Sequence, residues 1–194
     1  MDMGPGYIYE QCGPRHNHGQ CVISDKYEIC FILIPKNMSS TMRNYLKVKM
    51  NGYEYNYFKC SEKQKKYFTF CICRDIIKRF YSAINTIFRR KQTDLTGLQN
   101  SNLSFYVENK KDEHLVKQVE FIKNIRIDMI INIETISKYF SKSNKSDQSI
   151  LNNIKINDKT IMDVYEEDIK FYELNKTKCD TDINKFLTII NYEK

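Results

Sequence analysis

Two short segments of the chain combine basic side chains with hydroxyl groups. Residues 35–41 read PKNMSST, and residues 74–82 read RDIIKRFYS. Lysine and arginine supply positive charge, and serine and threonine supply hydrogen-bond donors, so both segments suit phosphate or sulfate oxygens. The sequence therefore contains two candidate anion-binding segments that lie far apart in the chain.

The first segment lies between a short apolar run, residues 28–34, and a stretch of helical character that begins at Ser39. The first N–H groups of a helix have no partner within the helix and attract phosphate oxygens. Lys36 adds a positive charge to such a cradle, although the glycines of a Walker A loop are absent. A simpler alternative is that Ser39 or Ser40 only caps the helix.

The second segment begins with Arg74, at the end of the apolar run of residues 67–73. Ligands of open α/β sheets bind at the carboxyl ends of the strands, where this guanidinium would lie. Ser82 follows eight residues later, about two helical turns along. A guanidinium and a hydroxyl in this arrangement suit a second phosphate. The alternative is an ordinary strand end, with Lys78 and Arg79 on the surface of the helix.

Together the two segments resemble the sulfotransferase superfamily. In that family a P-K-x-x-S-[ST]-[ST] loop holds the 5′-phosphosulfate side of 3′-phosphoadenosine 5′-phosphosulfate (PAPS). An R-[DN]-P-x-x-R-[FL]-x-S segment holds its 3′-phosphate. Residues 35–41 and 74–82 match these patterns, except that Ile76 replaces the usual proline. The resemblance implies a three-layer α/β sandwich with a central parallel sheet and a P-loop-like strand–loop–helix that binds PAPS.

Three later segments are similar to those of the Golgi-type carbohydrate sulfotransferases. Residues 114–118 (HLVKQ) resemble an H-x-x-[PQ]-Q segment, and residues 128–136 (DMIINIETI) resemble D-x-[IV]-x-x-x-E-x-[LI]. Residues 165–172 (YEEDIKFY) resemble Y-x-x-D-[FIL]-x-x-[FY]. The similarity implies a carbohydrate hydroxyl as the acceptor, while peptide tyrosine and small molecules stay open.

The resemblance also implies a role for each matching residue in sulfuryl transfer from PAPS, which leaves adenosine 3′,5′-bisphosphate. Lys36 would neutralise charge on the leaving phosphate oxygen, and no metal is needed. His114 is the candidate general base, ahead of Glu113, His16 and His18. The residues expected to contact PAPS are Lys36, Asn37, Met38, Ser39, Ser40, Thr41, Arg74 and Ser82.

The order of predicted elements explains how one fold would position these residues. Apolar runs at residues 28–34, 67–73 and 127–133 predict strands, and each is followed by a helical pattern. Strand and helix in repeated alternation predict a single α/β domain over residues 1–194, after an irregular arm over residues 1–24. Further expectations are a loop or lid over residues 92–111, a helix over 113–124, a linker over 141–149, and closing helices over 164–174 and 182–190.

Composition keeps two other classes of protein open. The formal net charge is +7, which favours an anionic partner without identifying it. Residues 53–68 interleave lysines with aromatic side chains, as a nucleic-acid-binding module would. We expect no nucleic-acid partner, because no recognised motif is present. A nucleotide kinase is disfavoured by the missing Walker A glycines, whereas an inactive nucleotide-binding module stays open.

The N-terminal arm carries a further cluster of ligand-type side chains. Cys12, His16, His18 and Cys21 allow a zinc site in principle, but their spacing matches no standard finger and we expect no metal. A Cys12–Cys21 disulfide is no better supported. The arm has no apolar core of a secretion signal, and no stretch is long enough to span a membrane, so we expect a cytoplasmic protein.

Overall fold

The structure is a computed structural model that describes residues 18–90, 97–109, 112–140 and 156–190 of the 194-residue chain. The strands in this part are Gln20–Ser24 (β1), Ile29–Ile32 (β2), Tyr53–Asn56 (β3), Phe68–Cys73 (β4) and Met129–Asn132 (β5). The helices are Ser39–Lys49 (α1), Ile76–Arg90 (α2), Leu103–Glu108 (α3), Gln118–Ile122 (α4), Ile133–Ile136 (α5), Asp158–Val164 (α6) and Glu166–Ile189 (α7).

The strands form one mixed sheet in the order β3-β1-β2-β4-β5. Strands β2, β4 and β5 are parallel, with Ile32 opposite Cys71 and Cys73 opposite Asn132. Strand β1 is antiparallel to both of its neighbours. Because parallel strands end at the same edge of a sheet, the segments that follow β2 and β4 lie side by side.

The sheet is mixed rather than parallel as predicted, because the first strand of the chain, β1, is antiparallel to its neighbours. Gln20–Ser24 belongs to the segment predicted as an irregular arm, yet it is a buried strand between β2 and β3. A tight turn that includes Glu28, with φ of 52°, joins β1 to β2 and makes the pair antiparallel. Val22 and Ile23 are fully buried, because both faces of β1 are covered. Residues 1–17 lie outside the described part.

Alternate side chains of β1, β2, β4 and β5 enter two separate apolar layers, whereas the side chains of the edge strand β3 are largely exposed. On one face Phe31 and Phe70 stack with ring centroids 4.9 Å apart, and Met42 of α1 and Phe186 of α7 belong to the same cluster. On the other face Cys30 packs in a cluster with residues of α4 and of the segment that joins β3 to β4. The sheet is therefore covered on both faces, as an α/β fold requires.

Helix α2 is oriented by a third apolar cluster outside the sheet. Its buried residues Ile76, Phe80 and Ile84 pack with Leu103 of α3 and Ile161 of α6. This confirms the helix that the sequence predicted after the apolar run of residues 67–73. The opposite side of α2, which carries Ser82 and Thr86, is consequently left for contacts with the loop after β2.

Several helix predictions need correction. The helix predicted over residues 113–124 is a 3-10 turn at Glu113–Leu115, two extended residues and the short α4. The two closing helices are one, because nothing between residues 174 and 182 breaks α7. The loop predicted over 92–111 contains α3. The linker predicted over 141–149 lies outside the described residues. In the described part, no helix has the length and apolar character needed to cross a membrane.

Candidate functional site

The loop after β2 makes two backbone turns before α1 begins. Lys36 and Met38 have positive φ values of 70° and 57°, a conformation that costs a non-glycine residue about 1–2 kcal/mol. Met38 is the N-cap residue, and no side chain caps the helix. Ser39 and Ser40 are already helical, so the simpler alternative that one of them is the N-cap is wrong.

The start of α1 is suited to an external anion. The helix bonds begin with the N–H of Met42, which donates to the carbonyl of Met38 over 3.0 Å. Earlier N–H groups of a helix have no acceptor within it, and the N-cap residue Met38 has no side-chain oxygen that could replace one. Ser40 is exposed and Ser39 is half-buried, so a phosphate could reach this helix start.

Asn37 and Met38, which are predicted to contact PAPS, have their side chains directed into the protein. Asn37 is 1% exposed, and its Nδ2 donates to the Ile72 carbonyl over 2.7 Å. Its backbone N–H donates to the Ile34 carbonyl over 3.2 Å. Met38 packs in the core below α1. Both side chains therefore anchor the loop to the sheet, because the loop must be attached through its inward-facing positions.

Arg74 connects the second segment directly to the first. Its Nη1 donates to the Lys36 carbonyl over 3.0 Å. Burial lowers the pKa of Arg74, and the nearby carboxylate of Glu134 opposes that effect. A guanidinium keeps its charge through such a shift, so Arg74 is a cation held at the junction of the two segments.

Lys36 lies against the face of α2 that carries Ser82. Its Nζ donates to Thr86 Oγ1 over 2.6 Å, and the Thr86 hydroxyl donates to the Ser82 carbonyl over 3.1 Å. The structure thus brings Lys36 of the first predicted segment together with Arg74 and α2 of the second. Thr86 was missed, although its position one helical turn after Ser82 was a usable signal.

Comparison of the chain with protein-family models, curated proteins and solved structures finds no match. The function is therefore inferred from the residues and their geometry alone.

Arg79 is a fully buried cation, which corrects the alternative that placed it on the helix surface. Its side chain is 0% exposed, and Nε donates to the Pro35 carbonyl over 3.2 Å. Within the described residues, its two terminal nitrogens have no hydrogen-bond partner. Burial lowers the pKa of Arg79, and the nearby Asp168 raises it. Lys78 is exposed, as predicted, and pairs with Glu134 at 2.9 Å.

A buried carboxylate and a buried amide complete the support of the two segments. Asp168 accepts from the N–H groups of Gln118 and Val119, at 2.7 and 3.1 Å. The Gln118 side chain in turn contacts Asn37 and Arg74. Both residues lie in segments that resemble the carbohydrate sulfotransferases, but the sequence did not indicate what they do.

His114 lies in a 3-10 turn that packs against α2. Its Nδ1 is 2.7 Å from Asp112 Oδ1, and both residues are buried. A carboxylate that accepts from Nδ1–H leaves Nε2 as the nitrogen able to accept a proton. Glu113, the alternative base, has its Oε1 4.0 Å from His114 Nε2. The catalytic role of His114 stays a prediction.

The other predicted ligand-type residues are dispersed or lie outside the described residues. His18 Nε2 is 2.9 Å from the Lys123 carbonyl, and the His18 ring packs on Phe58. Cys21 is a buried free thiol in β1. Cys12 and His16 are not among the described residues. Among those that are, no cluster of three His, Cys, Asp or Glu side chains is arranged to hold a metal.

An open cleft of about 380 Å³ lies at the carboxyl ends of β4 and β5. The residues that line it are mainly polar: Asp75, Lys78, Asn132, Glu134, Thr135, Lys138 and Tyr172. Arg74 itself is not among them, although the next residue, Asp75, is.

Proposed function

We propose that the protein is a sulfotransferase that moves a sulfuryl group from PAPS to an acceptor hydroxyl on a carbohydrate. One observation carries the proposal: the two phosphate-type segments touch each other. Arg74 donates to the carbonyl of Lys36, and Lys36 donates to Thr86 of α2. A nucleotide with phosphates at two ends is the ligand class that two adjacent anion-binding segments suit.

The residues present fit such a nucleotide. The start of α1 has no side-chain cap, so the 5′-phosphate would accept from its N–H groups and from the hydroxyls of Ser39, Ser40 and Thr41. The 3′-phosphate would be held by Arg74 and Ser82. Lys36, between the two, would neutralise the charge that develops on the leaving oxygen.

The reaction needs positioning and charge stabilisation more than covalent chemistry on the protein. The acceptor oxygen forms a bond to sulfur while the bond from sulfur to the phosphate oxygen breaks, and adenosine 3′,5′-bisphosphate leaves. The proton of the acceptor hydroxyl goes to a general base. His114 is our candidate, because Asp112 fixes the tautomer that accepts at Nε2.

A second candidate function rests on the exposed aromatic rings of β3 and the segment after it. Tyr55 and Phe58 are 41% and 44% exposed, and the exposed Lys59 follows. Single-stranded nucleic acid stacks on such rings and contacts neighbouring lysines. Fluorescence anisotropy with a labelled oligonucleotide tests this candidate. Tight, salt-sensitive binding that Tyr55→Ala abolishes would favour it over the sulfotransferase.

Calorimetry with nucleotides tests the main proposal. We expect the protein to bind adenosine 3′,5′-bisphosphate more tightly than AMP or ATP. Arg74→Ala should cost about 1.5–3 kcal/mol of bisphosphate binding, the range for a hydrogen bond to a charged group. Arg89→Ala, at an exposed position of α2, is the control and should change nothing. Equal affinity for AMP and the bisphosphate would remove the role of Arg74 and Ser82.

Transfer of labelled sulfate from PAPS tests the acceptor. The panel contains glycans, tyrosine peptides and small phenols, and we expect transfer to glycans. Labelling of peptide tyrosines alone would replace the carbohydrate assignment and leave the PAPS chemistry intact. A protein that binds the bisphosphate but transfers sulfate to none of these acceptors would be a nucleotide-binding module without this activity.

A further inference from the structure

The side chain of Gln118 makes hydrogen bonds to both anion-binding segments. Its Oε1 accepts from Asn37 Nδ2 at 2.5 Å and from the Arg74 N–H at 3.1 Å. Its Nε2 donates to the Arg74 carbonyl at 2.9 Å. The residue is fully buried, so water does not compete for these bonds. One amide group therefore satisfies polar groups of two loops that are distant in sequence.

These contacts are made at or next to the backbone of the residues that would hold the ligand. Asn37 is flanked by Lys36 and Met38, both with positive φ, so the place of its side chain sets the path of the loop. Arg74 has both of its backbone polar groups bonded to Gln118, which fixes the point from which its guanidinium extends. Gln118 thus bonds to both segments, in addition to the direct bond from Arg74 to the Lys36 carbonyl and the bond from Asn37 to the Ile72 carbonyl.

Gln118 is itself held in place from the opposite side. Its N–H and that of Val119 donate to the two carboxylate oxygens of Asp168, which belongs to α7 and is fully buried. Because this carboxylate accepts from the first two N–H groups of α4, it fixes the backbone of Gln118 relative to α7. The contacts with Asn37 and Arg74 therefore start from a rigid base.

We infer that Gln118 is a positioning residue that helps to set the spacing between the two phosphate-binding segments, so that both phosphates of one nucleotide are held at once. The inference rests on the proposed function. A nucleotide with one phosphate needs one segment only, so its affinity depends little on the spacing. A bisphosphate needs both segments at the correct distance, and its affinity depends on Gln118.

Calorimetry on Gln118→Met provides the first test. Methionine has nearly the volume of glutamine but cannot make the three hydrogen bonds, and Gln118→Glu, which keeps an acceptor, replaces it if the Met variant does not fold. We expect bisphosphate affinity to fall about 10- to 100-fold and AMP affinity less than about threefold. Gln64→Ala is the control, because Gln64 bonds to Asp25 and Tyr53, outside both segments. An equal loss for both nucleotides, or no loss, would overturn the inference.

Hydrogen exchange of the ligand-free protein provides a test that does not depend on nucleotide binding. The Arg74 amide should exchange at least about tenfold faster in Gln118→Met, because its acceptor is gone. The amide of Cys71, within β4, should keep its rate. Unchanged exchange at Arg74, or the same acceleration at both amides, would overturn the inference. Wild-type protein that binds no bisphosphate would refute the proposed function, and exchange would then decide the role of Gln118.

Discussion

Replacement of the carboxylate beside Arg79 should destabilise the protein. Asp168→Asn leaves a fully buried guanidinium without its nearby negative charge. It also turns one acceptor of the Gln118 and Val119 N–H groups into a donor. Among the described residues, Arg79 and Asp168 form no direct ion pair, so the expected cost is that of a buried group left unsatisfied, about 1–3 kcal/mol. Domains of ordinary stability have about 5–15 kcal/mol in total, so this loss should be clearly measurable.

The double variant Arg79→Met/Asp168→Asn should recover much of that loss. Burial lowers the pKa of Arg79 and raises the pKa of Asp168, so each charge carries a cost of desolvation in the folded protein. Replacement of both by neutral side chains removes both costs, and such replacements are often close to neutral. We expect a coupling free energy of at least about 1 kcal/mol between the two positions.

Urea unfolding followed by circular dichroism measures these quantities without any ligand. The four proteins are the wild type, the two single variants and the double variant. Glu166→Gln is the control, because Glu166 and Lys170 form an exposed ion pair on α7 and its loss should leave the unfolding midpoint unchanged. If the losses of the two single variants simply add in the double variant, Asp168 does not compensate the charge of Arg79 and the reasoning is refuted.

Three other perturbations have distinct expected outcomes. Lys36→Ala should lower the turnover of sulfate transfer far more than it weakens bisphosphate binding, and a change in KM alone would make Lys36 only a binding residue. The pKa of Asp25 is lowered by hydrogen bonds, and the bond from Gln64 has the largest effect. The ionised carboxylate therefore stabilises the fold above about pH 4, and this contribution is lost as the group becomes protonated in acid. Asp25→Asn should therefore lower Tm at pH 7 but not near pH 2.5, and an equal shift at both would contradict this. Met42 is in the core, so Met42→Ala should lower the free energy of unfolding by about 2–5 kcal/mol. Val48 is 77% exposed, so Val48→Ala should lower it by less than about 0.5 kcal/mol. Similar losses for the two variants would contradict the packing around α1.

Local patterns predicted the elements that carry the candidate site. The apolar runs before Pro35 and Arg74 are strands β2 and β4, and a helix follows each. Parallel pairing of these strands then brings the two segments together. These features are local, or follow from strand direction, and hence are readable from the order of residues.

The support of the site could not be predicted, because it depends on contacts between distant residues. Gln118 meets Asn37 across 81 residues and Asp168 across 50. Arg79 reads as a surface residue next to Lys78, and only the packing of α7 shows that it is buried. The inward direction of the Asn37 side chain could not be predicted for the same reason, since a loop residue can face either way. Strand β1 was missed because its apolar residues, 21–23, form a much shorter run than residues 28–34 or 67–73.

The contact of Asp168 with Gln118, 50 residues earlier in the chain, can form only late during synthesis. A chain emerges N-terminus first, at about 5–20 residues per second, and contacts between distant residues close late. Strands β2 and β4 can pair as soon as residue 73 is available, but Gln118 gains its partner on α7 only 50 residues after its own emergence. We therefore expect that a nascent chain that stops before α7 contains the sheet, but that the two segments of the proposed nucleotide site are not yet held in place.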